Sequence, residues 1–256
     1  MRKIDEPRRG ILRGLLASLG AAALAGCDAA SRSSWFPKVL KRAESLSHGA
    51  HRLVTAHQPL VQEFTRADLS ADFRSNGTAN PGTDIYKSLA ANHFADWSLR
   101  VDGLVGNPAQ FTLAQLRAMR SRTQITRHDC VEGWSAIGEW TGVPLSELLA
   151  LVQPKDNAKY VVFHCADPLG GEQSFYYESI DFDDAYHPQT ILAYQLNGQE
   201  LPIKNGAPLR LRVERQLGYK HAKYLMHIEL VDDLARIAGG KGGFWEDRGY
   251  EWYAGI

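Results

Sequence analysis

Between Trp97 and Val105 apolar and polar residues alternate, with Leu99 and Val101 set against Ser98, Arg100 and Asp102, which is the period of a half-buried strand. The Gly106-Asn107-Pro108 turn ends it. Thr112 then precedes apolar residues spaced three apart, Leu113, Leu116 and Met119, and this spacing predicts a short capped helix. Gln124 to Arg127 reads as a strand, Pro144 opens a helix over Leu145 to Val152, and Tyr160 to Cys165 has the continuous apolar run of a buried strand. Further on, Thr190 to Leu196 and Glu200 to Ile203 flank Asn197-Gly198, a strong hairpin signal, while Leu209 to Glu214 and Tyr224 to Val231 alternate at period two. This order predicts an α+β domain built mainly on mixed β-sheets, running from about residue 59 to 238.

The ends of the chain read differently. Residues 28–50 are rich in Ser, Ala and Lys/Arg without a firm period, so residues 27–58 are expected to form a tether. Gly239-Gly240-Lys241-Gly242-Gly243 looks like a flexible joint before an aromatic tail, residues 239–256, whose rings either offer a docking surface or pack onto the domain. With 256 residues and 44% hydrophobic composition, the chain can bury one substantial core.

The amino terminus carries targeting signals. Arg8-Arg9-Gly10-Ile11-Leu12-Arg13 resembles a twin-arginine export signal, and the apolar run from Gly14 to Ala25 is too short to span a bilayer but suits a signal core. Leu24-Ala25-Gly26-Cys27 looks like a lipobox, which would make Cys27 the lipidated first residue of the mature protein; a plain secretory signal with an incidental cysteine is the alternative. The expectation is a periplasmic protein, exported folded and lipid-anchored to the membrane. Residues 1–26 hold 5 of the 29 basic and 2 of the 29 acidic residues, so 24 basic and 27 acidic residues remain. No basic surplus supports nucleic-acid binding, and attachment to the membrane would rest on the lipid rather than on a polybasic face.

Chemistry concentrates at Thr126-Arg127-His128-Asp129-Cys130-Val131-Glu132-Gly133-Trp134-Ser135. A thiolate is both nucleophile and soft metal ligand, and cationic neighbours such as Arg127 and His128 are able to depress a thiol's pKa. Arg127 and His128 are therefore candidate catalytic residues, against bland readings as a structural ion pair and a core histidine. Two other readings of the cysteines stay open: a Cys130–Cys165 disulfide in an exported protein, and a zinc site from His128, Cys130, His164 and Cys165, although the spacing of structural zinc sites is absent.

The segment Cys130-Val131-Glu132-Gly133-Trp134-Ser135 resembles the cysteine motif of the sulfite-oxidase-type molybdopterin oxidoreductases, nearer to the periplasmic methionine sulfoxide reductase branch than to true sulfite oxidases. Asn205-Gly206-Ala207-Pro208-Leu209-Arg210 resembles the pterin- and phosphate-binding segment of that branch. Arg74-Ser75-Asn76-Gly77 is a partial match to a pterin-contacting loop, and His221-Ala222-Lys223 falls where relatives contact the pterin phosphate. Cys165 stands where relatives carry a cofactor-binding threonine. The resemblance implies a sulfite-oxidase-like fold and molybdopterin with molybdenum as cofactor, the metal ligated by Cys130. It implies a cofactor shell of Arg74, Asn76, Cys165, Asn205, Arg210, His221, Ala222 and Lys223.

It further implies two-electron oxygen-atom transfer on a small-molecule or protein-bound oxidised substrate. Asp129 and Glu132 beside the cysteine disfavour a dianion such as sulfite, so reduction of a neutral sulfoxide or N-oxide is the expected direction. Sulfite-type oxidation and a non-enzymatic lipoprotein module with a Cys130–Cys165 disulfide are the alternatives. The sequence has no Cys-x-x-Cys-His haem motif, too few cysteines for a four-cysteine cluster and no Gly-x-Gly-x-x-Gly after a strand. Electrons are thus expected to come from a separate redox protein, a membrane haem protein or a periplasmic cytochrome. The lipobox reading makes a direct prediction: Cys27→Ser should shift the protein out of the membrane fraction, and wild type recovered in the soluble periplasmic fraction would reject the lipid anchor.

Overall fold

The computed structural model describes residues 31–54, 60–171 and 174–256, so the expected export signal and Cys27 lie outside the described residues. The chain divides into two units at Pro59 and Leu60. In the first, the tether expected from its Ser-rich composition contains instead a helix, α1 (Phe36–Val54), begun where Ser33 Oγ accepts the Phe36 amide at 3.2 Å. The serines had diluted a helical period that Phe36, Leu40, Ala43 and Ala50 in fact keep.

The second unit contains two sheets. After α2 (Asp84–Ala91), β1 (Ser98–Gly103) and β2 (Ala109–Thr112) form an antiparallel pair that feeds α3 (Leu113–Ala118). Thr112 caps α3 as its sequence predicted, within a capping box closed by Gln115. Then come β3 (Arg122–Asp129), β4 (Ser135–Pro144), α4 (Leu145–Val152), β5 (Tyr160–Cys165), β6 (Tyr177–Asp181) and α5 (Phe182–Ala185). The chain continues through β7 (Ile191–Leu196), β8 (Gln199–Glu200), β9 (Arg210–Arg212) and β10 (Leu225–Val231). One sheet has the order β2-β1-β10-β5-β6 and is mixed, since β1 and β10 run parallel; the other is antiparallel, β3-β4-β7-β8, with β9 also on β7.

The Asn197-Gly198 hairpin forms as expected, both residues at positive φ of 53° and 74°, but its second strand stops at Glu200 and Ile203–Asn205 is a 3₁₀ turn. Apolar faces of the sheets and α4 make the main core, with Leu99, Val101, Leu145, Leu148, Val161, Phe163, Ile228 and Leu230 all buried. The aromatic tail is no free appendage. Phe244 is buried against Tyr176, Trp252 Nε1 donates to Ser179 Oγ at 2.8 Å, and the Asp247 carboxylate accepts from Tyr177 Oη and from the amides of Gly239 and Lys241 at 2.6–3.0 Å. Packing onto the domain is therefore the reading that the structure supports for this segment.

A second, smaller core centres on Trp140 of β4. Its ring meets Phe73 edge-on at 4.9 Å and lies under two guanidinium groups, Arg210 at 5.0 Å and Arg212 at 4.5 Å. Trp140→Ala should cost about 3–5 kcal/mol of stability through the cavity it leaves, read as a lowered denaturation midpoint; an unchanged midpoint would show that this core is not structurally important.

Candidate active site

The site grows out of the β3–β4 hairpin. Alternation along β3 sends Gln124, Thr126 and His128 inward and leaves Arg127 exposed. The connecting loop is closed by Cys130 N–H to Trp134 O and Gly133 N–H to Cys130 O, both 3.0 Å, with Gly133 at φ 84° where a side chain would be strained. This turn sets Cys130, half-buried, at the rim of a cleft of about 190 Å³. The opposite walls come from Asn76 and Thr78, from Asp167 and Leu169 after β5, from Tyr176, from Tyr219, His221 and Lys223, and from Trp245 and Tyr250 of the tail.

Arg127, expected beside the thiol, pairs with Asp129 at 3.0 Å on the outer face and does not line this cleft. That correction follows from strand alternation: neighbours in sequence point to opposite faces. His128 points inward but sits beneath the cleft, fully buried, its Nδ1 3.0 Å from Arg212 Nη1 and its ring 5.0 Å from that of His221. Burial first, then Arg212, Arg210 and Lys223, holds its pKa well below the ordinary histidine value. Neither residue therefore depresses the thiol. Burial pushes the Cys130 pKa up; the Glu132 backbone amide opposes this, the Glu132 carboxylate adds to it, and Arg74, whose guanidinium stands 5.5 Å over the Trp134 ring, opposes it.

Cys165 is buried at the end of β5, its thiol raised well above the ordinary value by burial and then by Asp167 and Glu178. Both Cys130 and Cys165 are free thiols, so the disulfide is not formed. His164 faces the other side of its strand, stacked on His227 at 4.8 Å and 3.0 Å from Glu229, and among the described residues no group of three or more such side chains is placed to hold a metal ion. The zinc quartet is thus not assembled. Ala222 is a core residue whose carbonyl accepts from Leu211, not a cleft residue.

The other expected residues converge in layers. Lys223 Nζ reaches the cleft and is held by neutral oxygens: Asn76 O at 2.5 Å, Thr78 O at 2.6 Å, Lys204 O at 3.3 Å and Ser75 Oγ at 3.5 Å. Burial, then Arg210, lowers its pKa to about 7. Arg210 is fully buried under the floor and donates to Asn205 O at 2.9 Å and His221 O at 3.2 Å, so it braces two loops, and burial, then Arg212, lowers its pKa to about 9. Arg212 forks onto Glu214 at 2.9 and 2.6 Å with both side chains at 0% exposure.

Sequence reasoning missed Thr78, Asp167, Tyr176, Tyr219, Trp245 and Tyr250 as cleft residues, because their strands and loops meet only in the fold. The tail is locked there by a buried triad: Lys220 lies 2.7 Å from Glu178 and also pairs with Glu246, the residue next to Trp245. Burial works against the Lys220 charge, but the two carboxylates outweigh it and hold its pKa above the ordinary value, while burial raises that of Glu178. Asn76 Oδ1, Asp167 Oδ1, His221 Nδ1 and, deeper, Asn205 Oδ1, Arg210 Nε and His128 Nε2 are buried polar atoms without a partner among the described residues. Each such atom costs about 1–3 kcal/mol if left unpaired, so the cluster is built to meet a polar ligand.

Residues 87–236 match the family model described as oxidoreductase molybdopterin binding domain. The chain belongs to that family. A protein of Azospira oryzae carrying the provisional name protein-methionine-sulfoxide reductase subunit YedZ1 is 45% identical over 161 residues, 63% of this chain and 56% of that protein. The catalytic subunit MsrP, named protein-methionine-sulfoxide reductase, of Pseudomonas syringae pv. tomato is 31% identical over 266 aligned positions, 93% of this chain and 77% of that protein. Among solved structures, the sulfane dehydrogenase SoxCD of Paracoccus pantotrophus superposes with a TM-score of 0.50 at 25% identity, covering 54% of this chain and 39% of that one. The chain thus spans little more than half of the first of these curated relatives.

The molybdopterin-binding domain offers what its cofactor needs. Unpaired amide, carboxylate and imidazole atoms suit the edge of a pterin ring, Lys223 suits a phosphate, and the Cys130 thiol lining the cleft is of the soft kind that suits molybdenum. Asn76, Trp245 and Tyr250 lie outside the matched stretch, so both flanks of the family domain contribute to its cleft. Lys223 yields a pH prediction. With its folded pKa near 7, below the unfolded lysine value, the cofactor-free protein should gain stability as pH rises from about 7 to about 9, whereas bound phosphate restores the charge and removes that gain. Urea midpoints of both forms at the two pH values test this; Lys223→Met should flatten the cofactor-free profile and lower molybdenum content, and equal slopes in wild type and variant would contradict it.

Proposed function

We propose that this protein is a molybdenum-cofactor-dependent oxidoreductase that reduces a neutral sulfoxide or N-oxide type substrate by two-electron oxygen-atom transfer. The observation carrying this reading is the half-buried thiol of Cys130 at the rim of a cleft walled by unpaired polar atoms, in a chain of the molybdopterin-binding family. When bound, the cofactor supplies the exchange of an oxygen atom and two electrons. The chain's own residues hold and shield it. Cys130 would ligate as thiolate, and because burial raises its pKa, the metal has to displace its proton. Lys223 would hold phosphate against the carbonyls that already fix its Nζ.

Charge and shape around the thiol favour a neutral substrate. Glu132 and Asp167 line the cleft, Lys223 is its one lysine or arginine among the described residues, and Arg127 faces away. A dianion would meet two carboxylates there, whereas the rings of Tyr176, Tyr219, Trp245 and Tyr250 suit the carbon groups flanking a sulfoxide sulfur. The names of the two relatives make methionine sulfoxide, free or within a polypeptide, the first substrate to test. Both names also call the relative a subunit, which supports a separate electron donor such as a membrane haem protein or periplasmic cytochrome. Periplasmic location and a lipid at Cys27 rest on the sequence signals alone.

The test is substitution of the two thiols in cofactor-loaded enzyme assayed with a reduced dye. Cys130→Ser should lower methionine sulfoxide turnover by more than about a hundredfold, beyond the loss typical of groups that merely orient a ligand, while Cys165→Ser keeps most of the activity. Comparable loss in both variants, or wild-type turnover of sulfite and of no sulfoxide, would overturn the reading.

A further inference from the structure

We propose that α1 is an interfacial helix that lies on an anionic membrane surface, its apolar face in the lipid and its cations toward the headgroups. The helix runs 19 residues, and at 100° per residue its side chains sort into two faces. Phe36, Val39, Leu40, Ala43, Leu46, Ala50 and Leu53 fall on one arc, Lys38, Lys41 and Arg52 on the other side, and Arg42 at the edge between them. The leucines are not packed away: Leu40, Leu46 and Leu53 are 54%, 74% and 78% exposed, and Val39 is 48% exposed. Trp35, 60% exposed, stands one residue before the helix, in the position where an amphipathic ring anchors at a bilayer boundary.

Three observations favour a membrane over another occupant. The four Lys/Arg of the helix against a single acidic residue, Glu44, complement an anionic surface, in a chain that is otherwise balanced in charge. A helix that is polar in sum yet keeps its apolar residues on one side is built to lie in the interface, and no described helix is long and apolar enough to cross a membrane. Cys27, the candidate lipid site, is nine residues before Phe36, so a lipid there would bring this helix to the bilayer. The polybasic face that overall composition argued against is thus present locally. It gives reversible binding that adds to a lipid anchor, so a Cys27→Ser protein would leave the membrane on washing and still return to anionic vesicles.

The experiment uses cofactor-loaded protein from residue 27 onward carrying Cys27→Ser, so that no lipid contributes, and measures co-sedimentation with phosphatidylcholine vesicles with and without phosphatidylglycerol. Binding should appear with the anionic vesicles, weaken at high salt, and fall at least about tenfold in Leu46→Glu/Leu53→Glu and in Lys38→Glu/Arg42→Glu. Unchanged molybdenum content in these variants shows that the second unit is intact. In wild type, Trp35 fluorescence, taken as the difference from Trp35→Phe, should shift to the blue on binding and be quenched by shallowly labelled lipid. No vesicle binding, or binding that neither pair of substitutions reduces, would overturn the proposal. So would a wild-type oligomer in solution that Leu46→Glu/Leu53→Glu dissolves, because the apolar face would then belong to a second copy.

Discussion

Two guanidinium groups carried into a protein interior by one three-residue strand impose the arrangement of the cleft. β9 places Arg210 and Arg212 on the face of Trp140 with no access to water. Such charges are tolerable only when their donors find partners, and the partners are the parts of the site. Arg212 takes the Glu214 carboxylate and reaches His128, two residues before the cysteine, while Arg210 ties the carbonyls of Asn205 and His221. The hairpin bearing Cys130, the 3₁₀ turn bearing Asn205 and the loop leading to Lys223 are thereby registered to one another. Arg210, expected in the cofactor shell, is buried and braces the Asn205 and His221 loops.

The same geometry explains an electrostatic balance. Burial, reinforced by arginine charge under the cleft floor, keeps His128 and His221 neutral, while carboxylates of Glu132 and Asp167 line the cleft itself. The cleft is therefore uninviting to a dianion even though cations stand close by. At the opposite wall the Lys220–Glu178–Glu246 triad fixes the C-terminal segment through a residue adjacent to Trp245, so that an aromatic wall from outside the matched family stretch becomes part of a rigid site.

Much of this was legible beforehand where local rules govern. Alternation gave β1 and β10, a continuous apolar run gave β5, the Thr112 cap gave α3, and Asn197-Gly198 gave the hairpin, because period and turn chemistry are properties of short segments. β4 escaped notice since, buried along most of its length, it lacks alternation. The motif at Cys130 located the thiol and, by chain neighbourhood, suggested Arg127 and His128 as its helpers; β3 separated them by turning one out and burying the other. Asp167, Tyr176, Trp245 and Tyr250 carry no motif, and only the sheet order β10-β5-β6 and the triad bring them together.

The proposed function requires Cys130 to give molybdenum a sulfur ligand in this cleft. X-ray absorption at the molybdenum edge of the loaded wild type and of Cys130→Ser tests it without reference to substrate. One fewer sulfur neighbour is expected in the variant, with the remaining shell retained. An unchanged sulfur count, or the same loss produced by Cys165→Ser, would contradict it.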